Sequence, residues 1–243
     1  MGLNSTENRK TKRKTVVRKY RDDFLDQDFD TLARVDPAQI YDSTYYKEGY
    51  EAGSEHCYGR QEPWLSFFKN IAQEIDNRFK PKSVADVGCA FGLLSEALLD
   101  REIDVRGFDV SPYAISQARA DVAERLSVHN ILEPIPSISG EKYDVAVCIE
   151  VLEHIPADLV DGAIENLCAC SDRIVFSSSP DDFEEPTHLC VLPTGDWIKK
   201  FEQFGFYPDR SNHVAAYIAP HARVMVKRRR PLSHVISNLL GRV

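Results

Sequence analysis

Strand-forming and helix-forming stretches alternate from about residue 81 to residue 228. The alternation predicts an α/β fold: a doubly wound, seven-stranded, mostly parallel sheet with helices on both faces, preceded by a helical extension. Two further observations support it. Small residues at Gly88, Ala90 and Gly92 follow the first strand and permit a tight turn into a helix. The 243 residues, 43% of them hydrophobic, suffice for one full core without disulfide or metal staples.

In chain order, residues 1–20 are polar and basic with little to bury, and are expected to be a disordered tail. Residues 21–80 are read as an N-terminal helical segment, with a short helix over 21–35 and an irregular stretch over 41–60. That stretch holds five tyrosines among glycines and charges, without helical or alternating period. From Glu62 onward Trp64, Phe68, Ile71, Ile75 and Phe79 recur at spacings of three and four, which predicts an amphipathic helix ending before Pro81. Residues 83–88 read as the first strand, 93–100 as a helix and 105–109 as the second strand. Residues 112–124 predict a helix with Ser111 as N-cap and Pro112 in its first turn. Strands three and four fall at 126–130 and 143–150, a helix at 157–169, strand five at 172–178, and a helix closed by Gly205 at 194–204. Residues 206–212 and 223–227 complete the seven strands, and 229–243 remain as a basic amphipathic tail.

Composition excludes several classes. No apolar run approaches the ~20 residues of a membrane-spanning helix, and the chain starts with basic residues but no apolar h-region, so neither a span nor a secretory signal is expected. The six cysteines are scattered, mostly within apolar strings and without a CxxC pair, which predicts reduced thiols in a cytoplasmic protein. Cys168 and Cys170 make at most half a metal site, and no metal is expected. Charge is uneven: residues 1–21 carry +7, residues 219–243 carry +6, and the net −8 leaves −21 for the stretch between. An acidic body repels phosphate backbones, so nucleic acid is not an expected partner unless the basic ends bind it.

In doubly wound sheets, ligands bind beyond the carboxyl ends of the strands, near the reversal of strand order. Three segments there carry chemistry. DVGCAFG at 86–92 brings a ligand close to the main chain at a helix start. Ala90 and Leu93 stand where a dinucleotide fingerprint needs glycine, which disfavours an NAD-linked dehydrogenase. GFDVS at 107–111 ends its strand on Asp109, whose carboxylate can accept both hydroxyls of a ribose or, alternatively, cap the next helix. The third segment is YDVAVCIEVLEHI at 143–155.

In this order the three segments resemble the class I S-adenosylmethionine-dependent methyltransferases, of Rossmann-like fold. The flanking segments are similar to bacterial members of saccharide and secondary-metabolite pathways. The resemblance implies S-adenosyl-L-methionine as cofactor and S-adenosyl-L-homocysteine as product. It places Asp86, Gly88 and Gly92, with Cys89 between them, at the methionine part. Asp109 would take the ribose hydroxyls, with Val110 beside the adenine. Asn130 would stand at the adenine amine, where the family often has Asp, and Glu150 and Val151 would border the cofactor after strand four.

Methyl transfer from a sulfonium needs no enzyme nucleophile; it needs an aligned acceptor and, for a hydroxyl, a base. His188, in a Pro-Thr-His loop after strand five, and His154, after strand four, are the candidate bases, and each also has a structural reading. Tyr45, Tyr46, Tyr50 and Trp64 either stack on a sugar or aromatic acceptor or seal the N-terminal segment onto the sheet. The expected reaction is methylation of a small-molecule hydroxyl on a saccharide or lipid-linked precursor. A protein or RNA acceptor recruited by the basic ends, and a non-enzymatic cofactor-binding module, are the alternatives. Met1-Gly2-Leu3-Asn4-Ser5-Thr6 fits a short acylation pattern. Arg228-Arg229-Arg230 precedes an apolar stripe of Leu232, Val235, Ile236, Leu239 and Leu240. Peripheral contact with the inner membrane face is therefore weighed beside solvated tails and a helix docked on its own domain.

Overall fold

The computed structural model describes residues 35–48, 58–183, 185, 187–210 and 213–228. Helices α1 (Pro37–Ile40), α2 (Ser43–Glu48) and α3 (Trp64–Phe79) precede the sheet. The chain continues through β1 (Ser83–Val87), α4 (Leu93–Leu99), β2 (Asp104–Asp109), α5 (Pro112–Ser116), α6 (Ala120–Ala123), β3 (Leu126–Val128) and β4 (Val145–Ile149). After one turn of 3-10 helix at Leu152–His154 come α7 (Val160–Cys170), β5 (Arg173–Ser177), α8 (Thr194–Gln203), β6 (Phe206–Pro208), α9 (His213–Ala216) and β7 (Arg223–Lys227).

The seven strands form one sheet in the order β3-β2-β1-β4-β5-β7-β6. The pairs from β3 to β5 are parallel, whereas β7 runs antiparallel to both β5 and β6. Strand order reverses between β1 and β4, which opens a crevice at their carboxyl ends. Both faces of the sheet are covered, so its strands read as apolar runs rather than as alternating patterns. In β4, Ala146 and Cys148 pack with Leu167, Trp197 and Phe201 of α7 and α8. Val145 and Val147 face the opposite way, toward Ile71 and Ile75 of α3, Leu98 of α4 and Val214 of α9.

Helix α3 matches its sequence pattern: Phe68, Ile71, Ala72 and Ile75 are buried, and Lys80 closes it in the left-handed conformation. Ser111 caps α5 as expected, its Oγ accepting from the Ala114 N–H at 3.0 Å. The single helix expected over 112–124 is corrected to two. Arg119 leaves the helical conformation (φ −59°, ψ 139°), and its guanidinium bridges Asp100 and Asp121. The irregular reading of 41–60 is corrected as well. Asp42 Oδ1 accepts from the N–H groups of Thr44 and Tyr45 and starts α2, a helix too short to show a period in sequence.

Other element bounds shift by a few residues. The tail over 1–20, nearly all of the helix expected over 21–35, Tyr50, Cys57 and the C-terminal stripe lie outside the described residues. The five described cysteines are free and buried. No described helix is long and apolar enough to cross a membrane.

Candidate active site

A cavity of about 720 Å³ opens at the carboxyl ends of β1, β2 and β4 and extends beneath α1, α2 and the start of α3. Its floor is the loop after β1. Gly88 sits at φ +77°, and a Cβ there would stand 2.2 Å from Val151 Cγ2, so only glycine fits between the two strand ends. Ala90 also holds a positive φ, of 45°. Its N–H donates to Asp109 Oδ2 at 2.8 Å, while the Ser111 N–H donates to Asp109 Oδ1 at 2.8 Å. The cap of α5 is therefore Ser111, and Asp109 is tied to both loops with its carboxylate on the cavity. Burial raises its pKa.

Asp86 is buried in the β1 end and accepts from Ser95 Oγ at 2.7 Å. Burial pushes it up to about 6, against the hydrogen bond from Ser95. Its charge is thus lost as pH falls through about 6; the resemblance places Asp86 at the methionine part, and on that expectation cofactor affinity falls with the charge in calorimetric titrations across that range. Because the native value lies above the unfolded one of about 3.9, Asp86 contributes full stability below that pH and loses it as pH rises through about 6. Asp86→Asn should therefore remove the pH step in affinity and raise Tm near pH 8 by a few degrees.

Also on the cavity wall, the turn after β4 and the loop after β5 bring His154 and His188 together, with ring centroids 4.7 Å apart. Thr187 Oγ1 donates to Glu185 Oε1 at 2.9 Å, so toward His154 Nδ1, 3.1 Å away, it acts as an acceptor. The Thr187 carbonyl also lies 3.2 Å from that nitrogen. Nδ1 of His154 therefore carries the proton and Nε2 is left basic. Burial and the neighbouring His188 push His154 down to about 4, so it is a neutral imidazole. His188 donates from Nδ1 to the Asp182 carbonyl at 2.8 Å, with the Asp182 carboxylate 3.8 Å away.

Glu153, beside them, is raised far above the usual carboxyl range by burial and then by the charge of Glu150. Glu153, His154 and His188 offer ligand atoms within 4.8 Å of one another, a grouping of the kind that holds a divalent cation. Cys168 and Cys170 are buried on α7 and take no part in it.

Of the other sequence-derived residues, Gly88, Cys89, Val110, Asn130, Glu150, Val151, Tyr45, Tyr46 and Trp64 line the cavity, whereas Gly92 starts α4 behind it. Asn130 Oδ1 accepts from the Leu132 N–H at 3.0 Å, which leaves its Nδ2 as a donor edge. That edge suits a ring nitrogen rather than an amine. Tyr46 lies on Phe91 with centroids 4.8 Å apart, and Trp64 on Tyr58 at 5.4 Å, so these rings both seal the segment and wall the cavity.

Tyr41, Tyr58, His129 and His221, none of them a candidate from the sequence, also stand on the cavity wall. Tyr41 and Tyr58 belong to the tyrosine-rich stretch over 41–60. His221 has no local signal, since β7 alone carries it to Glu150.

A doubly wound sheet with a glycine-cornered loop at its switch point and an acid ending β2 defines a protein of the nucleotide-cofactor-binding Rossmann-like class. The chain belongs to the methyltransferase-domain family, whose sequence model matches residues 58–228.

Among curated relatives, the ubiquinone biosynthesis O-methyltransferase of Coxiella burnetii is 36% identical over 158 residues, 63% of each chain. The chloroplastic magnesium protoporphyrin IX methyltransferase of Arabidopsis thaliana is 32% identical over 106 residues, 42% of this chain and 34% of that one. The chain thus spans between about a third and two thirds of the length of these relatives. The fold is also that of the magnesium protoporphyrin IX methyltransferase of Synechocystis, solved with S-adenosylmethionine: TM-score 0.56, 19% identity, 80% of this chain and 98% of that one. A sugar N-methyltransferase of Streptoalloteichus gives a TM-score of 0.54 at 15% identity, covering 70% and 90%.

Proposed function

We propose that this chain transfers the methyl group of S-adenosyl-L-methionine to a hydroxyl of a small-molecule acceptor, on a saccharide or a lipid-linked precursor. The observation that carries the reading is one cavity lined both by Asp86, Gly88 and Asp109 and by the His154–His188 pair. Relatives named for O-methylation in ubiquinone biosynthesis and for methylation of magnesium protoporphyrin IX support a small-molecule acceptor. When bound, the cofactor supplies a methyl group activated by its sulfonium.

The chain's own residues do the rest. Asp109 accepts the ribose hydroxyls, and the open Gly88 corner admits the methionine part against the main chain. His154 accepts a hydrogen bond from the acceptor at Nε2 and orients it. His188 takes the hydroxyl proton at Nε2 as the oxygen–carbon bond forms and the carbon–sulfur bond breaks. Asp182 then faces the resulting imidazolium. Tyr41 packs edge-on against His154, with centroids 5.5 Å apart.

The test incubates purified protein with methyl-labelled cofactor and an extract divided into saccharide, lipid, protein and RNA fractions. Label in the first two supports the proposal. Label in protein or RNA, lost at high salt, transfers the reading to macromolecular acceptors held by the basic ends. No label anywhere favours a binding module.

A second reading rests on the Glu153–His154–His188 grouping, with a divalent cation orienting the acceptor. Turnover lost on chelation and restored by added divalent metal would favour it, whereas turnover indifferent to chelation leaves the histidine base.

A further inference from the structure

The cofactor's amino-acid end carries an ammonium and a carboxylate. The cavity lining contains five carboxylates, Asp86, Asp109, Glu150, Asp182 and Glu185, and among the described residues no lysine or arginine. Its cationic candidates are histidines, and three of them are placed elsewhere: His154 and His188 face each other, and His129 lies against Phe108 near the adenine end.

The fourth is His221, from the turn before β7. Because β7 runs antiparallel to β5, this turn is delivered to the carboxyl edge of the parallel strands. His221 Nε2 lies 3.2 Å from Glu150 Oε1. The same oxygen accepts from Ser177 Oγ at 2.6 Å. The Glu150 backbone sits at φ +50°, one residue before the Val151 side chain that walls Gly88. Glu150 is thus anchored from β5 and from the β7 turn, next to the corner that admits the methionine part.

We propose that Glu150 and His221 form a clamp for the zwitterionic end of the cofactor, with Glu150 taking the ammonium and His221 the carboxylate. The inference rests on the cofactor reading above. With Nε2–H committed to Glu150, the nitrogen left to His221 is Nδ1, which meets a carboxylate only when protonated. Neither group acts on the acceptor; the pair holds the cofactor in register for transfer.

Three adenosyl probes separate the roles by calorimetry. S-Adenosylhomocysteine keeps both charges, decarboxylated S-adenosylmethionine keeps only the ammonium of the amino-acid end, and 5′-methylthioadenosine keeps neither. His221→Gln should weaken S-adenosylhomocysteine about 10- to 30-fold and leave the other two probes unchanged. Glu150→Gln should weaken both ammonium-bearing probes by a similar factor and spare 5′-methylthioadenosine.

Equal losses for all three probes would mean a merely structural pair and overturn the proposal, as would an unchanged affinity of His221→Gln for S-adenosylhomocysteine. Failure of the unaltered chain to bind any adenosyl probe would instead sink the cofactor reading itself.

Discussion

Asp109→Ala is expected to lower cofactor affinity roughly 100-fold, the scale of losing two hydrogen bonds to a charged acceptor. The carboxylate already receives the Ala90 and Ser111 N–H groups at 2.8 Å each. Those bonds orient it and favour its charged form against its burial, and Asp109 lines the cavity. Because both N–H groups would lose their partner, part of the loss could come from a loosened β1 corner, and a ligand comparison separates the two effects. The parent chain should prefer the cofactor product to its 2′,3′-dideoxy analogue. Asp109→Ala should bind the two alike, with calorimetry as the readout and a thermal melt as the control. A variant that retained the preference for the hydroxylated ligand would refute the ribose assignment.

The second large effect is expected at the histidine pair. His188→Ala should lower kcat by about 100-fold or more, the usual contribution of a positioned base, while the cofactor Kd stays unchanged. His154→Ala should act mainly on the acceptor KM. Their environments explain the difference. His154 is a neutral ring pushed down to about 4 by burial and by its neighbour, with its Nδ1 proton committed to Thr187. A ring so hard to protonate accepts a hydrogen bond well and takes up a proton poorly. His188 has the Asp182 carboxylate 3.8 Å away to meet an arriving charge. Unchanged kcat in His188→Ala would return that ring to a packing role. A larger kcat loss in His154→Ala than in His188→Ala would exchange their roles.

Much of the sheet was legible because each strand buried on both faces must be a short apolar run, and each helix beside it must show one apolar stripe. SVADV, VAVCI and RIVFS read directly as β1, β4 and β5, and the stripe from Trp64 to Phe79 as α3. The break at Arg119 was not legible, because its cause is an ion-pair network with Asp100 and Asp121, which no local pattern records. The start of α2 was hidden for a different reason: one cap and six residues leave too little length for a period to show.

Local periodicity, backbone freedom and position relative to a strand end make the class of fold, the glycine corner at Gly88 and the acid at the end of β2 readable from the residues. The pairings across the site arise from the folded topology. Residues 150 and 221 meet because β7 reverses direction beside β5, and residues 154 and 188 meet because two loops leave adjacent parallel strands at the same edge. Such contacts join groups tens of residues apart in the chain. They follow from strand order and direction, which hydrophobic pattern alone leaves open.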